Sequence, residues 1–194
     1  MPRNRTIPDE FVLDEALKIV HENGPAELSF GTLAKRVDLA PSTIVQRFGT
    51  KAALLRAALG IAWDRLDAAT AAADASAPDG PGGVIELLVA LSGDYDALDY
   101  ADQLRVLRED LRDPELRLRG AAWIATLEEA IERRLDGRGG RRPGEVAGLG
   151  QLVVAQWQGS VTVWSFTRPG PLNDFVDTSL RAVLTALGFR PRRR

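Results

Sequence analysis

The sequence has no cysteine, a single histidine and no long apolar run. Without cysteine, the chain can form no disulfide, no thiolate metal site and no cysteine nucleophile. His21 cannot form a histidine cluster by itself. No apolar run approaches the roughly 20 residues of a membrane span, and the first ten residues, MPRNRTIPDE, contain no hydrophobic signal core. We therefore expect a cytoplasmic protein that has no metal site and needs no cofactor.

Groups typical of catalysis are also scarce. No glycine-rich phosphate loop follows a strand-like segment, and no nucleophile is accompanied by a base in a recognisable arrangement. Four aspartates do lie close together in the sequence: Asp94, Asp96, Asp99 and Asp102. Such acidic runs are usually solvated faces rather than metal or catalytic sites, so we expect no enzymatic activity.

Charge is distributed unevenly along the 194 residues. The chain is 45% hydrophobic and 27% charged, enough for one globular domain or two small ones. Its net charge of −2 gives no general attraction to nucleic acid. Between Leu28 and Gly60, however, a single acidic residue, Asp38, stands against a basic set: Lys35, Arg36, Arg47, Lys51 and Arg56. This distribution predicts a local basic face near the N-terminus.

Apolar spacing and capping residues predict three short helices in the first 50 residues. Pro8 to Asn23 has apolar residues at helical spacing, and a glycine and a proline follow it. Ser29 can cap a second helix, Asp38 forms a turn, and Pro41 can occupy the first position of a third helix. A helix, a short turn and a short helix form the helix-turn-helix arrangement, whose second helix fits the DNA major groove.

The rest of the chain is also predicted to be helical, because nothing in it alternates with period two for long enough to indicate a strand. Thr50 can cap a long helix that starts at Lys51. The helices predicted here are Lys51 to about Ala75, Val84 to Leu98, Tyr100 to Arg112, Pro114 to Leu135, Gly144 to Phe166 and Pro171 to Leu187. The fold class is therefore predicted to be all-α.

The stretch LSFGTLAKRVDLAPSTIVQRFGTKAALLRAAL resembles the DNA-binding signature of the TetR family of transcriptional regulators. The resemblance rests on a capped helix with the pair Leu33-Ala34, a turn, Thr43 in the short helix, then Phe48 and Lys51. It implies an N-terminal three-helix helix-turn-helix domain in residues 1–50. It also implies that residues 51–194 form a helical domain that binds a small molecule and dimerises.

The chain departs from the family pattern at four positions near the short helix. Asp38 stands where glycine is usual, and aspartate tolerates the left-handed conformation better than most residues. Val45 stands where a tyrosine commonly contacts a phosphate, and Arg47 occupies the next position that is commonly aromatic. Ala40 replaces a frequent serine or threonine cap. These departures bear on the operator contacts rather than on the fold.

The resemblance and the predicted exposure of the short helix define candidate DNA contacts. These are Ser29, Ser42, Thr43, Gln46, Arg47, Lys51 and Arg5. Gln46 is expected to pair with a base edge, and Lys51 is expected to neutralise a phosphate near a helix N-terminus.

Candidate effector-binding residues lie on the helices that would surround a pocket. They are Tyr95, Tyr100, Leu104, Leu107, Trp123 and Leu127. Pockets are usually apolar with a few polar groups, although aromatic residues at helical spacing are also typical of a core.

The penultimate helix carries two apolar stripes, and a helix that is apolar on two sides must be covered on two sides. One stripe contains Val153, Trp157 and Trp164; the other contains Leu152, Ala155, Gly159, Val163 and Phe166. One side is expected to face its own domain and the other a second subunit; the alternative is a helix buried entirely within the chain. The residues predicted for dimerisation are Val153, Trp157, Val161, Trp164, Phe175, Val176 and Val183.

Together these observations predict a homodimeric repressor that binds a two-fold site on double-stranded DNA and is released by a small-molecule effector, with no membrane association. An architectural or partner-regulated DNA-binding protein without such an effector is the alternative. The sequence also leaves open an activator instead of a repressor.

Overall fold

The computed structural model describes residues 7–93, 97–136 and 148–190, without the side chains of 97–99. Those residues contain nine α-helices and no β-strand, which confirms the all-α prediction. The helices are α1 (Asp9–Asn23), α2 (Phe30–Val37), α3 (Pro41–Phe48), α4 (Lys51–Ser76), α5 (Pro81–Ser92), α6 (Ala97–Arg112), α7 (Pro114–Asp136), α8 (Leu149–Thr167) and α9 (Leu172–Ala186).

The helix-turn-helix is built by local capping. The Ser29 hydroxyl accepts the backbone N–H of Thr32, while the Thr32 hydroxyl accepts the N–H of Ser29, so each residue satisfies a free donor at the start of α2. Asp38 ends α2 in the left-handed conformation, at φ 53° and ψ 49°. The Thr50 hydroxyl accepts the N–H of Ala53 at 3.1 Å and caps α4.

The chain packs as two compact units. Of the described residues, the first unit contains those up to Leu66 together with Leu98–Gly120. Its apolar core joins α1, α2, α3 and the first half of α4 through fully buried side chains: Val12, Ala16, Leu28, Leu33, Ile44, Leu54 and Ala58. Because α6 and the first residues of α7 also belong to this unit, the functional division at residue 50 stays a prediction.

Polar contacts hold the α6–α7 corner inside the first unit. Arg56 of α4 donates to Asp113 at 2.7 Å and to Glu115 at 2.8 Å. The Trp63 indole N–H donates to Asp110 Oδ1 at 3.1 Å. Burial raises the pKa of Asp110, whereas the hydrogen bond from Arg56 lowers the pKa of Asp113.

Of the described residues, the second unit contains those within Asp67–Ala97 and those from Ala121 onward. It contains α5, α8, α9 and the adjoining parts of α4 and α7. Two indoles lie at its centre: Trp123 donates to Thr70 Oγ1 at 2.8 Å, Trp157 donates to Ser92 Oγ at 2.8 Å, and the ring centroids are 6.3 Å apart. Both N–H groups are therefore satisfied inside the core.

Several helix boundaries differ from the sequence prediction. α5 begins at Pro81 instead of Val84, because proline suits the first helical position, and it ends at Ser92 before Gly93, which has φ 65°. Gly83 lies so close to Pro78 that a Cβ would be 1.6 Å from the Pro78 carbonyl oxygen, so only glycine fits there. The predicted start of the penultimate helix, Gly144, lies outside the described residues. None of the described helices combines the length and the apolar character that crossing a membrane requires.

Candidate nucleic-acid interface

α3 has one buried side and one exposed side. Ile44 is 0% exposed and belongs to the core of the first unit, and Phe48, one turn later, packs against that core. Ser42 and Gln46 are exposed on the opposite side, and Thr43 is half-buried beside them. This burial pattern turns the hydroxyl of Ser42 and the amide of Gln46 toward solvent, where a DNA groove can reach them.

Arg47 is held by its own domain. One of its guanidinium nitrogens, Nη1, donates to the Ile7 carbonyl oxygen at 2.7 Å and to Asp9 Oδ1 at 3.2 Å. The side chain thus binds the segment at the start of α1. Its predicted contact with DNA remains a prediction, and making it would require giving up at least one of these bonds.

Lys51 lies at the first position of α4 and remains exposed. Its ammonium group donates to the Ala26 carbonyl oxygen at 2.8 Å, which fixes the side chain near the start of α4. A phosphate at this point would meet both the ammonium charge and the free N–H groups of the first helical turn. The geometry therefore suits the predicted phosphate contact.

The predicted basic face is smaller than the sequence count indicates. Arg36 donates to Glu15 at 2.7 Å and to both carboxylate oxygens of Glu22, at 2.7 and 2.9 Å. The hydrogen bonds from Lys18 and Arg36 lower the pKa of Glu15. Since Arg36, Arg47 and Arg56 all face carboxylates of the same unit, these pairs balance much of the local positive charge.

Ser29 and Arg5 are the remaining candidate DNA contacts. The Ser29 hydroxyl is occupied in the cap of α2, so any phosphate contact by Ser29 would compete with that cap. Arg5 lies outside the described residues.

The stripe chosen for dimerisation on α8 is buried within the chain. Val153, Trp157, Val161 and Trp164 are buried, and so is Val176 on α9. Phe175 and Val183 are half-buried. The buried side chains already pack inside the second unit, where Trp164 also donates to the Gly170 carbonyl oxygen at 2.8 Å. They are therefore not available to a second subunit in this conformation.

The other α8 stripe is exposed. Phe166 is 86% exposed, and Leu152 and Val163 are also exposed. Gly159 lies between them, and a methyl group added to it would meet no atom within 4 Å. These residues follow one another at helical spacing, so they form a continuous apolar strip along α8. Exposed apolar strips of this kind mark interaction sites.

The sequence of the N-terminal helices matches the model of a known protein family. Residues 12–58 match the family model described as bacterial regulatory proteins, tetR family. These residues contain most of α1, all of α2 and α3, and the start of α4. Residues 12–58 therefore form a TetR-type DNA-binding domain. No curated protein matches it by sequence.

Solved structures share the fold of this chain over nearly its whole length. A transcriptional regulator from Rhodococcus sp. Rha1 is 16% identical, with a TM-score of 0.73 over 93% of this chain and 97% of that one. The TetR-family regulator PfmR from Thermus thermophilus is 22% identical, with a TM-score of 0.63 over 90% and 97%. A regulator from Saccharomonospora viridis, solved in complex with choline, is 18% identical, with a TM-score of 0.71 over 91% and 94%.

The solved structures that share this fold over nearly the whole chain are described as transcriptional regulators. Among the described residues, no three His, Cys, Asp or Glu side chains are grouped so that they could hold a metal ion. Asp102 pairs with Arg105 at 3.3 Å, and Asp94, Asp96 and the side chain of Asp99 lie outside the described residues.

The predicted effector-binding residues do not lie in one compact unit. Trp123 and Leu127 are buried in the second unit, whereas Tyr100, Leu104 and Leu107 belong to α6 in the first. Leu104 and Leu107 are exposed, and Tyr100 is half-buried. Tyr95 lies outside the described residues. Their joint role in ligand binding remains a prediction.

The sequence prediction did not include Val45 or Phe166 among the site residues. Val45 is exposed on α3 beside Gln46. The sequence could have indicated Val45, because it is the neighbour of Gln46, which is predicted to contact a base edge. Phe166 belongs to an apolar stripe that was recognised, but both stripes of α8 are apolar. Only packing distinguishes the inner stripe from the outer one.

Proposed function

We propose that this protein is a TetR-family regulator that binds a two-fold operator as a homodimer, represses the adjacent gene and leaves the operator when a small molecule binds. The observation that carries the proposal is the exposed polar side of α3, with Ser42 and Gln46 directed away from a fully buried Ile44. A helix anchored on one side and polar on the other can enter a major groove without loss of its core.

The exposed strip of α8 supports the dimer. In a two-fold interface one patch meets its own copy, so a single apolar strip is enough to cover both subunits. Gly159 in the middle of the strip allows two helix backbones to approach closely. A homodimer in turn supplies two copies of α3, which must lie roughly 34–36 Å apart to enter successive major grooves.

Release by a small molecule is supported by the structural neighbours. The Saccharomonospora viridis regulator was solved with choline, and the multidrug binding protein EbrR, 22% identical with a TM-score of 0.64, was solved with imidazole. A ligand can favour a spacing of the two α3 helices that differs from the spacing needed to bind DNA. It then weakens DNA binding by the difference between its affinities for these two conformations. The buried residues Trp123 and Leu127 are the candidates for ligand contact within the second unit.

The test is selection of DNA fragments from a genomic library with purified full-length protein. The proposal expects enriched fragments that share a site with two related half-sites about one helical turn apart. The variant Ser42→Ala/Gln46→Ala should lose this enrichment. The control Thr126→Ala, at an exposed position of α7, should keep it. Enrichment without a shared site, or equal enrichment by all three proteins, would refute the proposal.

A second experiment separates a ligand-responsive regulator from an architectural DNA-binding protein. A ligand that binds only the native state raises the thermal midpoint, so a thermal-shift screen identifies candidate effectors. Each hit is then added to the operator complex. Several ligands that stabilise the protein but leave its DNA affinity unchanged would favour the architectural function.

A further inference from the structure

We propose that α3 reads A·T base pairs, with Gln46 on adenine and Val45 on the methyl group of thymine. This inference rests on the proposed operator binding and names the base pairs that the reading helix recognises. It follows from three properties of α3: the exposed side chains it carries, the position of its single cation, and the hydrogen-bonding capacity of each exposed group.

Val45 and Gln46 lie on the part of α3 that faces away from the core. Both are exposed, and Val45 retains 42% of its surface although it is apolar. Successive residues of a helix are rotated by about 100°, so the two side chains flank the line that leaves the helix opposite Ile44. Ser42 lies between them, one turn earlier. A major groove occupied by α3 would therefore meet these three side chains together.

The cation of α3 is turned away from this surface. Arg47 is the only basic residue in Pro41–Phe48, and its guanidinium binds the Ile7 carbonyl oxygen and Asp9. The commonest specific contact to guanine is a bidentate pair from arginine or lysine to O6 and N7. Since the exposed side of α3 has no such donor, it lacks the group that usually selects guanine.

The side chains that remain match adenine and thymine. A glutamine amide both donates and accepts, which fits the N7 acceptor and the N6 donor of adenine. Valine has no hydrogen-bonding group, and thymine is the only base whose major-groove edge carries a methyl group. Contact between the valine side chain and the thymine methyl group removes apolar surface of both groups from water. Val45 can thus favour thymine by packing alone, and Ser42 is neutral because a hydroxyl pairs with any base.

The test replaces each thymine of a selected operator by deoxyuridine, which removes only the methyl group. One thymine in each half-site should be sensitive. Loss of one buried methyl group should weaken binding about fourfold, and loss from both half-sites about fifteenfold. Val45→Ala should abolish this sensitivity, so that the thymine and uracil operators bind equally well. Val45→Thr, which keeps one methyl group, should retain part of it.

Gln46→Ala is the matched control. It should keep the sensitivity to deoxyuridine but lose the sensitivity to 7-deazaadenine, which lacks N7. Because Val45 and Gln46 are both exposed, neither substitution removes core packing, and equal circular dichroism spectra will show that the variants are folded.

The outcomes separate this inference from the function on which it rests. If no operator is selected at all, the proposed function fails and this inference fails with it. If an operator is selected but deoxyuridine costs nothing, or Val45→Ala leaves its cost unchanged, the assignment of Val45 is overturned while operator binding stands. Half-sites whose α3 contacts are guanines would also overturn it.

Discussion

Phe166→Ala should dissociate the proposed dimer without unfolding the subunit. Phe166 lies in the exposed strip of α8 and is 86% exposed, so the single chain gains almost nothing from packing its ring. In a homodimer the same ring would be covered by the partner, and two copies of it would be covered at once.

The expected size of the effect follows from this burial. Burying a phenylalanine side chain contributes about 1.5–3 kcal/mol relative to its exposed state. Two copies in a symmetric interface contribute about 3–6 kcal/mol, so Phe166→Ala should raise the dimer dissociation constant by about 10²-fold to 10⁴-fold. The stability of the subunit itself should change by less than about 0.5 kcal/mol, as for other exposed positions.

Sedimentation equilibrium over nanomolar to micromolar concentrations measures the dissociation constant, and thermal unfolding checks the subunit. Leu118→Ala is the control, because Leu118 is also a large exposed apolar residue, at 70%, but lies on α7 in the first unit. We expect Leu118→Ala to dimerise like the original chain. Equal dissociation constants for all three proteins, or an original chain that stays monomeric at micromolar concentration, would refute the reasoning.

Three further predictions test other parts of the structure. Trp157→Ala should destabilise the folded state by about 3–5 kcal/mol in chemical denaturation, because it leaves a cavity in the core of the second unit; unchanged stability would contradict this. Asp110→Asn should raise the thermal midpoint at pH 7, since burial raises the pKa of Asp110 and its ionisation opposes folding above the ordinary pKa of aspartate. The gain should shrink as the pH falls toward the ordinary pKa of aspartate, because a growing fraction of the native carboxyl is protonated there, and an equal gain at neutral and acidic pH would disprove the cause. Lys51→Ala should weaken binding to matched and mismatched DNA alike and reduce the salt slope by about one per subunit, and a base-specific loss would assign Lys51 a different role.

Local signals in the sequence correctly predicted the helix-turn-helix. Ser29, Asp38 and Thr50 act on backbone groups within a few residues, and the structure places all three as expected. Pro41 begins α3 for the same kind of reason, because its fixed φ and missing N–H suit the first helical position. The boundaries of α5 were less accurate, since the close approach of Gly83 to Pro78 cannot be read from helical periodicity.

The partners of the charged residues could not be predicted in this way. The sequence places the basic residues Arg36 and Arg47 near α3, and a count of charged residues predicts that the surroundings of this helix are positive. Folding brings Arg36 to Glu15 and Glu22 and brings Arg47 to Ile7, residues that are 14 to 40 positions away in the chain. Tertiary contacts therefore determine on which side of α3 a positive charge is available to bind DNA.

The sequence by itself determined that this protein is helical, where its short helices begin, and that its N-terminal part is a helix-turn-helix, because caps, turns and apolar spacing act over a few residues. Only the tertiary structure decided which apolar side of α8 faces inward. Trp157 and Phe166 both belong to apolar stripes of α8. Trp157 donates a hydrogen bond to Ser92 and lies beside the ring of Trp123 within the second unit, whereas Phe166 remains exposed to solvent. Burial depends on which distant helices pack together, and that information is not contained in the periodicity of one helix.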